Sequence, residues 1–272
     1  MMLKKRILTA VVLAPLGVAL LLWGTPAMIA VALALILAGG MREWARLAGL
    51  GRSAQIFSAG LAVAMLAAVW WTRTPDRLLL VAAVGTGFWL LAAAWLANFE
   101  FGRVRSPGNA LLKLAAGLLV MLPAAAGALS LRETAPHGAW WLLIAVVLIW
   151  VADSGAYFAG VRFGKRKLAP TISPGKTWEG VAGAAIAVAL LGVVAGWFLG
   201  LRSEKLLGLV FLTLLTLAFS IVGDLFESLM KRHAGMKDSG SLIPGHGGVL
   251  DRFDSLFAAL PVFALGRHLL CA

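Results

Sequence analysis

Apolar segments of membrane-crossing length recur along the whole of this 272-residue chain. An α-helix needs about 20 predominantly apolar residues to cross the hydrocarbon core of a bilayer. Such runs fall near residues 7–23, 26–39, 54–72, 78–97, 109–131, 139–159, 180–200, 206–226 and 250–270. Only 13% of the residues are charged, against about 25% in a soluble domain. The short alternating segments of a membrane β-barrel are absent. The expectation is an all-α, polytopic bundle of about nine membrane helices forming one integral membrane domain, 1–272. Residues 1–140 supply N-terminal membrane helices and 141–272 the half rich in polar motifs. The second run is short and Trp23-Gly24-Thr25-Pro26 is a tight connection, so 7–39 reads as two thin spans or as one re-entrant hairpin. The basic start, Lys4-Lys5-Arg6, is like that of a signal peptide, but the further spans favour a retained first helix.

The net charge is +12. The basic residues sit in short loops between apolar runs, where topology and anionic lipid explain them better than nucleic acid does. With the N-terminus cytoplasmic, one side collects most of the lysines and arginines. Only Arg73, Arg77, Arg132, Arg202, Lys205 and Arg267 lie opposite. That bias places both polar loops, 160–179 and 227–250, on the cytoplasmic side of a bacterial-type inner membrane. A single cysteine, Cys271, excludes an intrachain disulfide and a cysteine-based zinc site. Trp70, Trp71, Trp140 and Trp141 lie near run ends, as interface anchors do.

The densest polar stretch is 224–254. Asp224, Glu227, Ser228 and Lys231 are spaced i, i+3, i+4, i+7 and share one helix face. Their neighbours Leu225, Phe226, Leu229 and Met230 are apolar, so one polar stripe faces inward from an otherwise lipid-compatible helix. Ionisable groups at membrane depth are costly and mark function; the structural alternative is an acid–base stripe that glues helices together. Gly247-Gly248 permits close backbone approach, and a helix starting there aims its amides at an anion. Asp251 and Asp254 share a face of that helix. Carboxylates converging from two helices suit a hard divalent cation such as Mg²⁺, which keeps few protein ligands and also binds phosphates. Lys231, Arg232 and Lys237 suit phosphate oxygens. His246 is ambiguous between a hydrogen-bonding and a structural role, and no second histidine stands at zinc-ligand spacing.

A second constellation lies upstream: Asp153 at the end of an apolar run, then Ser173-Pro174-Gly175-Lys176-Thr177. The P-loop pattern fails, because Pro170 stands where its first glycine belongs and no strand precedes it. What survives is an anionic-ligand loop, with Ser173, Lys176 and Thr177 at a helix start, or a plain positive-inside loop. The residues alone reach a membrane-embedded, cytoplasm-facing site for Mg²⁺ and polyanionic phosphates, which fits phosphoryl or nucleotidyl transfer.

The run from Ser228 to Asp254, through Lys231-Arg232, Lys237-Asp238, Pro244-Gly245-His246-Gly247-Gly248 and Asp251-Arg252, resembles the signature of the phosphatidate cytidylyltransferases (CDP-diacylglycerol synthases). The stretches 153–157 and 173–177 are similar to that family too, whereas 1–140 is similar only in hydropathy. The resemblance implies that CTP and phosphatidic acid react to give CDP-diacylglycerol and pyrophosphate, with the CTP and metal site in 141–272. It implies that Asp224 and Asp251 hold a di-metal centre, Mg²⁺ with a monovalent ion such as K⁺ beside it, and that the protein forms a homodimer. On this reading Lys231, Arg232 and Lys237 contact phosphate oxygens, and Asp238 and Asp254 orient them. Asp153, Ser173, Lys176, Thr177, Ser228, His246, Gly247, Gly248 and Arg252 line the substrates. Another CTP-dependent lipid phosphotransferase or kinase is the nearest alternative. An ion-coupled transporter is the alternative from a different class, since intramembrane acids also line ion pathways.

Overall fold

The computed structural model describes residues 14–240 and 247–271. Its helices are α1 (Ala14–Trp23), α2 (Pro26–Leu47), α3 (Arg52–Trp71), α4 (Pro75–Leu96), α5 (Pro107–Glu133), α6 (Gly138–Phe163), α7 (Trp178–Phe198), α8 (Ser203–His233) and α9 (Leu250–Cys271). Eight of them, α2 to α9, are long and apolar enough to cross a membrane. A polytopic helical bundle follows, as the hydropathy implies.

Local chemistry fixes several helix starts. Thr25, Thr74 and Ser106 each precede a proline, and their hydroxyls accept from the backbone N–H of Met28, Arg77 and Asn109. A hydroxyl cap followed by proline satisfies the first orphan donors and presets φ for the helix. α8 stops at Gly235, whose φ of 70° lets the Met236 N–H return to the Lys231 carbonyl at 2.8 Å.

α5 is the most enclosed span and lies against α2, α4, α6 and α9. Gly127 brings its backbone against the Leu260 carbonyl of α9. α6 and α7 meet through Gly155, Ala159, Gly160, Gly180 and Gly183, the small-residue packing that lets helices approach closely in lipid. The tip of α8 is anchored by Phe226, which is fully buried among Trp44 of α2 and Phe88, Trp89 and Trp95 around α4, with ring centroids 5.3 to 6.0 Å away. Phe226 lies on the helix face opposite Asp224 and Ser228, so this aromatic nest turns the polar stripe toward α6, α7 and α9.

Connections sort to two rims. At one, Trp44 donates to the Lys113 carbonyl, His233 meets the Phe99 carbonyl, and Arg232 reaches the Ile172 carbonyl. At the other, Arg132 donates to the Gly24 carbonyl and Arg73 pairs with Glu133. The polar loops share the first rim, as the alternation of runs requires.

Three expectations are corrected. The second run is not thin: α2 has 22 residues, and the helix continues through Arg42, Glu43 and Arg46 after the apolar run ends, while residues 7–13 of the first run lie outside the described residues. Trp141 is no interface anchor but a buried side chain against Phe263 and Arg267. The neighbours of the polar stripe do not face lipid: Leu225, Phe226, Leu229 and Met230 are all buried in protein.

Candidate active site

Asp153 stands ten residues before the end of α6 and Asp224 nine before the end of α8. At 1.5 Å per residue both lie about 14–15 Å below the helix ends. Asp153 is therefore deeper than a run-end position. Both carboxylates open on one cavity of about 210 Å³ walled by α6, α7, α8, Ser255 of α9 and the segment that links α6 to α7.

That segment is a hairpin rather than a plain loop. β1 (Lys167–Ala169) pairs antiparallel with β2 (Ser173–Thr177), Lys167 opposite Thr177 and Ala169 opposite Ser173. Two devices hold it. The Glu179 carboxylate accepts from the Lys165 and Arg166 N–H groups, and Arg232 Nε donates to the Ile172 carbonyl at 3.2 Å. Thr177 is buried and caps α7, accepting from the Gly180 N–H at 3.2 Å. The strand before it aims Lys176 inward, where the ammonium forms an ion pair with Asp224. Ser228 donates to the other Asp224 oxygen at 3.4 Å. Ser173 sits on the strand away from the cavity lining, and Arg232 braces the hairpin.

The second acid cluster forms where α9 begins. Asp251 accepts from Lys231 Nζ at 2.8 Å, from the Ser239 N–H and hydroxyl at 2.9 Å each, and from the Gly248 N–H at 2.8 Å. Lys231 Nζ also lies 3.1 Å from Glu227, which is only 2% exposed. Asp254 lies within electrostatic reach of Asp224, Lys176 and Lys231, and of Glu227, so it joins this cluster to the cavity. The stripe of α8 and the acid pair of α9 therefore face one another as their spacing implies.

One carboxylate was not anticipated. Glu43, near the end of α2, is 9% exposed, accepts from the Val249 N–H at 3.1 Å and the Leu250 N–H at 3.0 Å, and lies 2.9 Å from the Ser239 hydroxyl, whose one proton it shares with Asp251. Arg46, one turn later, donates to the Ser239 carbonyl. The start of α9 is indeed an anion site, but its anions are the chain's own Glu43 and Asp251. The double glycine follows from this crowding. Gly247 has φ of 80°, and a Cβ there would press on Asp251. A Cβ on Gly248 would fall on Glu43 and the Ser239 hydroxyl. A signal was present in the sequence: a lone acid between two arginines at the end of an apolar run.

Of the other candidates, Lys237 and Asp238 are exposed with no ion pair or hydrogen bond among the described residues. Arg252, in the first turn of α9, lies within electrostatic reach of Asp153. His246 lies outside the described residues.

Among the described residues no three of histidine, cysteine, aspartate and glutamate close around a single point. Asp224 and Asp251 nevertheless fit a hard cation chemically. Each is a carboxylate, and each already balances a lysine ammonium. A Mg²⁺ that takes most of its shell from water and phosphates needs no more than one or two protein carboxylates.

Comparison with known proteins gives one answer. The model described as "Cytidylyltransferase family" matches residues 4–270. A phosphatidate cytidylyltransferase of Haemophilus influenzae is 38% identical over 283 residues, covering 97% of this chain and 98% of that protein. One from Pseudomonas aeruginosa is 45% identical over 269 residues, covering 97% and 96%. One from Bacillus subtilis is 43% identical over 136 residues, 49% of each chain. The signature between Ser228 and Asp254, the acid-lined cavity deep in the bundle and this similarity over almost the whole length agree: the chain belongs to the cytidylyltransferase family.

Proposed function

We propose that this chain transfers the cytidylyl group of CTP to phosphatidic acid, giving CDP-diacylglycerol and pyrophosphate, at the cytoplasmic face of a bacterial inner membrane. The observation that carries the reading is the lysine-lined cavity whose two acids lie about 15 Å below the helix ends, within a chain similar from end to end to phosphatidate cytidylyltransferases. Neither an ion-coupled transporter nor a lipid kinase is favoured by that similarity.

The nucleophile is the substrate's own phosphate monoester. Its second pKa is about 6, as for phosphoserine, so it is largely ionised at neutral pH and needs no strong general base. One of its oxygens forms a bond to the α-phosphorus of CTP. The bond from that phosphorus to the α,β-bridging oxygen breaks, and pyrophosphate leaves with the electron pair. The protein's task is to hold two polyanions in line and neutralise their charge. Lys176 and Lys231 are the cations placed for this, each now paired with a carboxylate that can release it to phosphate. Asp224 and Asp251 would hold Mg²⁺, which supplies charge stabilisation on the departing pyrophosphate when bound; a monovalent ion such as K⁺ beside it and a homodimeric assembly belong to the same proposal. Glu43, Ser239 and the Gly247-Gly248 turn keep Asp251 in place. Thr177 and the hairpin keep Lys176 aimed at the cavity. Both substrates enter at the rim that carries most of the basic residues.

Lys176→Met keeps the length of the side chain and removes the charge. The expected result is a rise of about tenfold or more in the Michaelis constant for CTP, the size of one lost charge-assisted contact, with the protein still inserted and monodisperse in detergent. Steady-state kinetics on the purified variant measure it, and an unchanged Michaelis constant removes Lys176 from the CTP site.

A further inference from the structure

A second cavity, of about 590 Å³ and almost wholly apolar, lies between α1, α2, α5, α6 and α9. Its inner wall is core, including Leu37, Met121 and Leu142. It is a partly open groove rather than an enclosed void, and its volume is that of a ligand site rather than of a packing defect.

Its position relative to the polar cavity says what occupies it. The two cavities share walls, and their character changes in the same direction along each. On α6 the polar cavity is lined from Gly160 down to Ala152, and the apolar one from Trp150 down to Leu142. On α9 the apolar lining begins at Arg252, one residue after Asp251, and runs through Phe253 and Phe257 to Leu260. Ser255, on the neighbouring stripe of the same helix, lines the polar cavity. Arg252 thus joins the two: it borders the apolar space and lies within electrostatic reach of Asp153 in the polar one. Along α6 the lining is polar from Gly160 down to Asp153 and apolar for about 12 Å below Trp150.

We infer that the apolar cavity is the acyl-chain site of the lipid substrate, with Arg252 at its mouth facing the lipid phosphate and α1 and α2 forming the wall contributed by the N-terminal half. The inference rests on the proposed reaction for the identity of the lipid. It gives the N-terminal half of the chain a role in substrate selection. Moving an acyl chain from bilayer to this cavity gains little hydrophobic energy, because lipid tails are as apolar as the wall. The site therefore acts through shape: it fixes where the chain lies and so where the phosphate is presented.

Gly17 of α1 is the place to test this, since it borders the cavity and a Cβ there meets nothing within 4 Å. Gly17→Phe adds bulk at the cavity wall from α1, and Ala32→Phe does so from α2. The ratio of kcat/KM for dioleoyl over dihexanoyl phosphatidic acid should fall by at least about tenfold in both, the usual worth of a few methylenes in a shaped site. Leu80→Phe, on an outward face of α4, should leave the ratio as it is. An unchanged ratio in both cavity variants, or an equal change in Leu80→Phe, overturns the inference.

A second readout needs no turnover. Phosphatidic acid carrying a diazirine in its acyl chain, irradiated with the intact protein in nanodiscs, should label the cavity walls on α1, α2 and α9. Labelling spread over outward faces, at Leu80, Leu90 and Val194, marks surrounding lipid only and overturns the site. Walls labelled in a protein that makes no product from CTP would leave the site standing and overturn the reaction instead.

Discussion

Asp224→Asn should lower the rate of CDP-diacylglycerol formation by at least about 10²–10³-fold, the cost of removing one charge-stabilising contact from a transition state. Asp224 lines the polar cavity, pairs with Lys176 and accepts from Ser228. Asparagine has the same shape and keeps an acceptor for Ser228. The fold around it is held by other means, chiefly the burial of Phe226 among four aromatic rings. Loss of activity without loss of structure is therefore the expected signature. It is measured by kcat at saturating CTP beside the thermal melting of the purified protein. Near-normal turnover would remove Asp224 from the chemistry. A collapse of melting with turnover would assign it a structural role.

Glu43→Ala should damage the site from a distance. It strips an acceptor from the Ser239 hydroxyl and from the Val249 and Leu250 N–H groups, all in a water-poor setting. The Ser239 hydroxyl keeps Asp251 as an acceptor, but the Val249 and Leu250 N–H groups are orphaned, and at about 1–3 kcal/mol for each buried donor a loss on the order of 2 kcal/mol or more is expected. The Ser239 hydroxyl lies 2.9 Å from both Glu43 and Asp251, so the displacement passes directly to Asp251. Turnover should fall along with stability. Hydrogen exchange should speed up at Val249 and Leu250 while the middle of α9 stays protected. Glu43→Gln, which keeps one acceptor oxygen but turns a donor toward donors, should fall between the two. Full activity and unchanged exchange in Glu43→Ala would show that the start of α9 does not depend on α2.

These two residues also show how far the sequence could be read. Asp224 could be singled out because its partners on the same helix recur at helical spacing in an apolar setting, four residues before the signature begins at Ser228. Glu43 could not, because its partners are about 200 positions away: Ser239, Val249 and Leu250 lie 196, 206 and 207 residues on. Nothing local announces such a contact. The end of α2 was misplaced for a related reason. Hydropathy stops at Arg42, whereas backbone hydrogen bonding continues to Leu47, because Trp44 and Leu47 are buried against the bundle. The hairpin at 167–177 escaped because its strands are three and five residues long, too short for alternation to register. The amides at the start of α9 read as a site for a ligand's anion, whereas in the folded chain its own carboxylates take them.

The central claim is that the cytidylyl group, and not the terminal phosphate, passes from CTP to the lipid. The direct measurement uses the purified protein in nanodiscs with phosphatidic acid and CTP labelled in turn at the α- and the γ-phosphate. The account predicts that the α-label appears in lipid one for one with pyrophosphate, and that the γ-label appears in pyrophosphate alone. The γ-label in lipid, with CDP as the by-product, would contradict it.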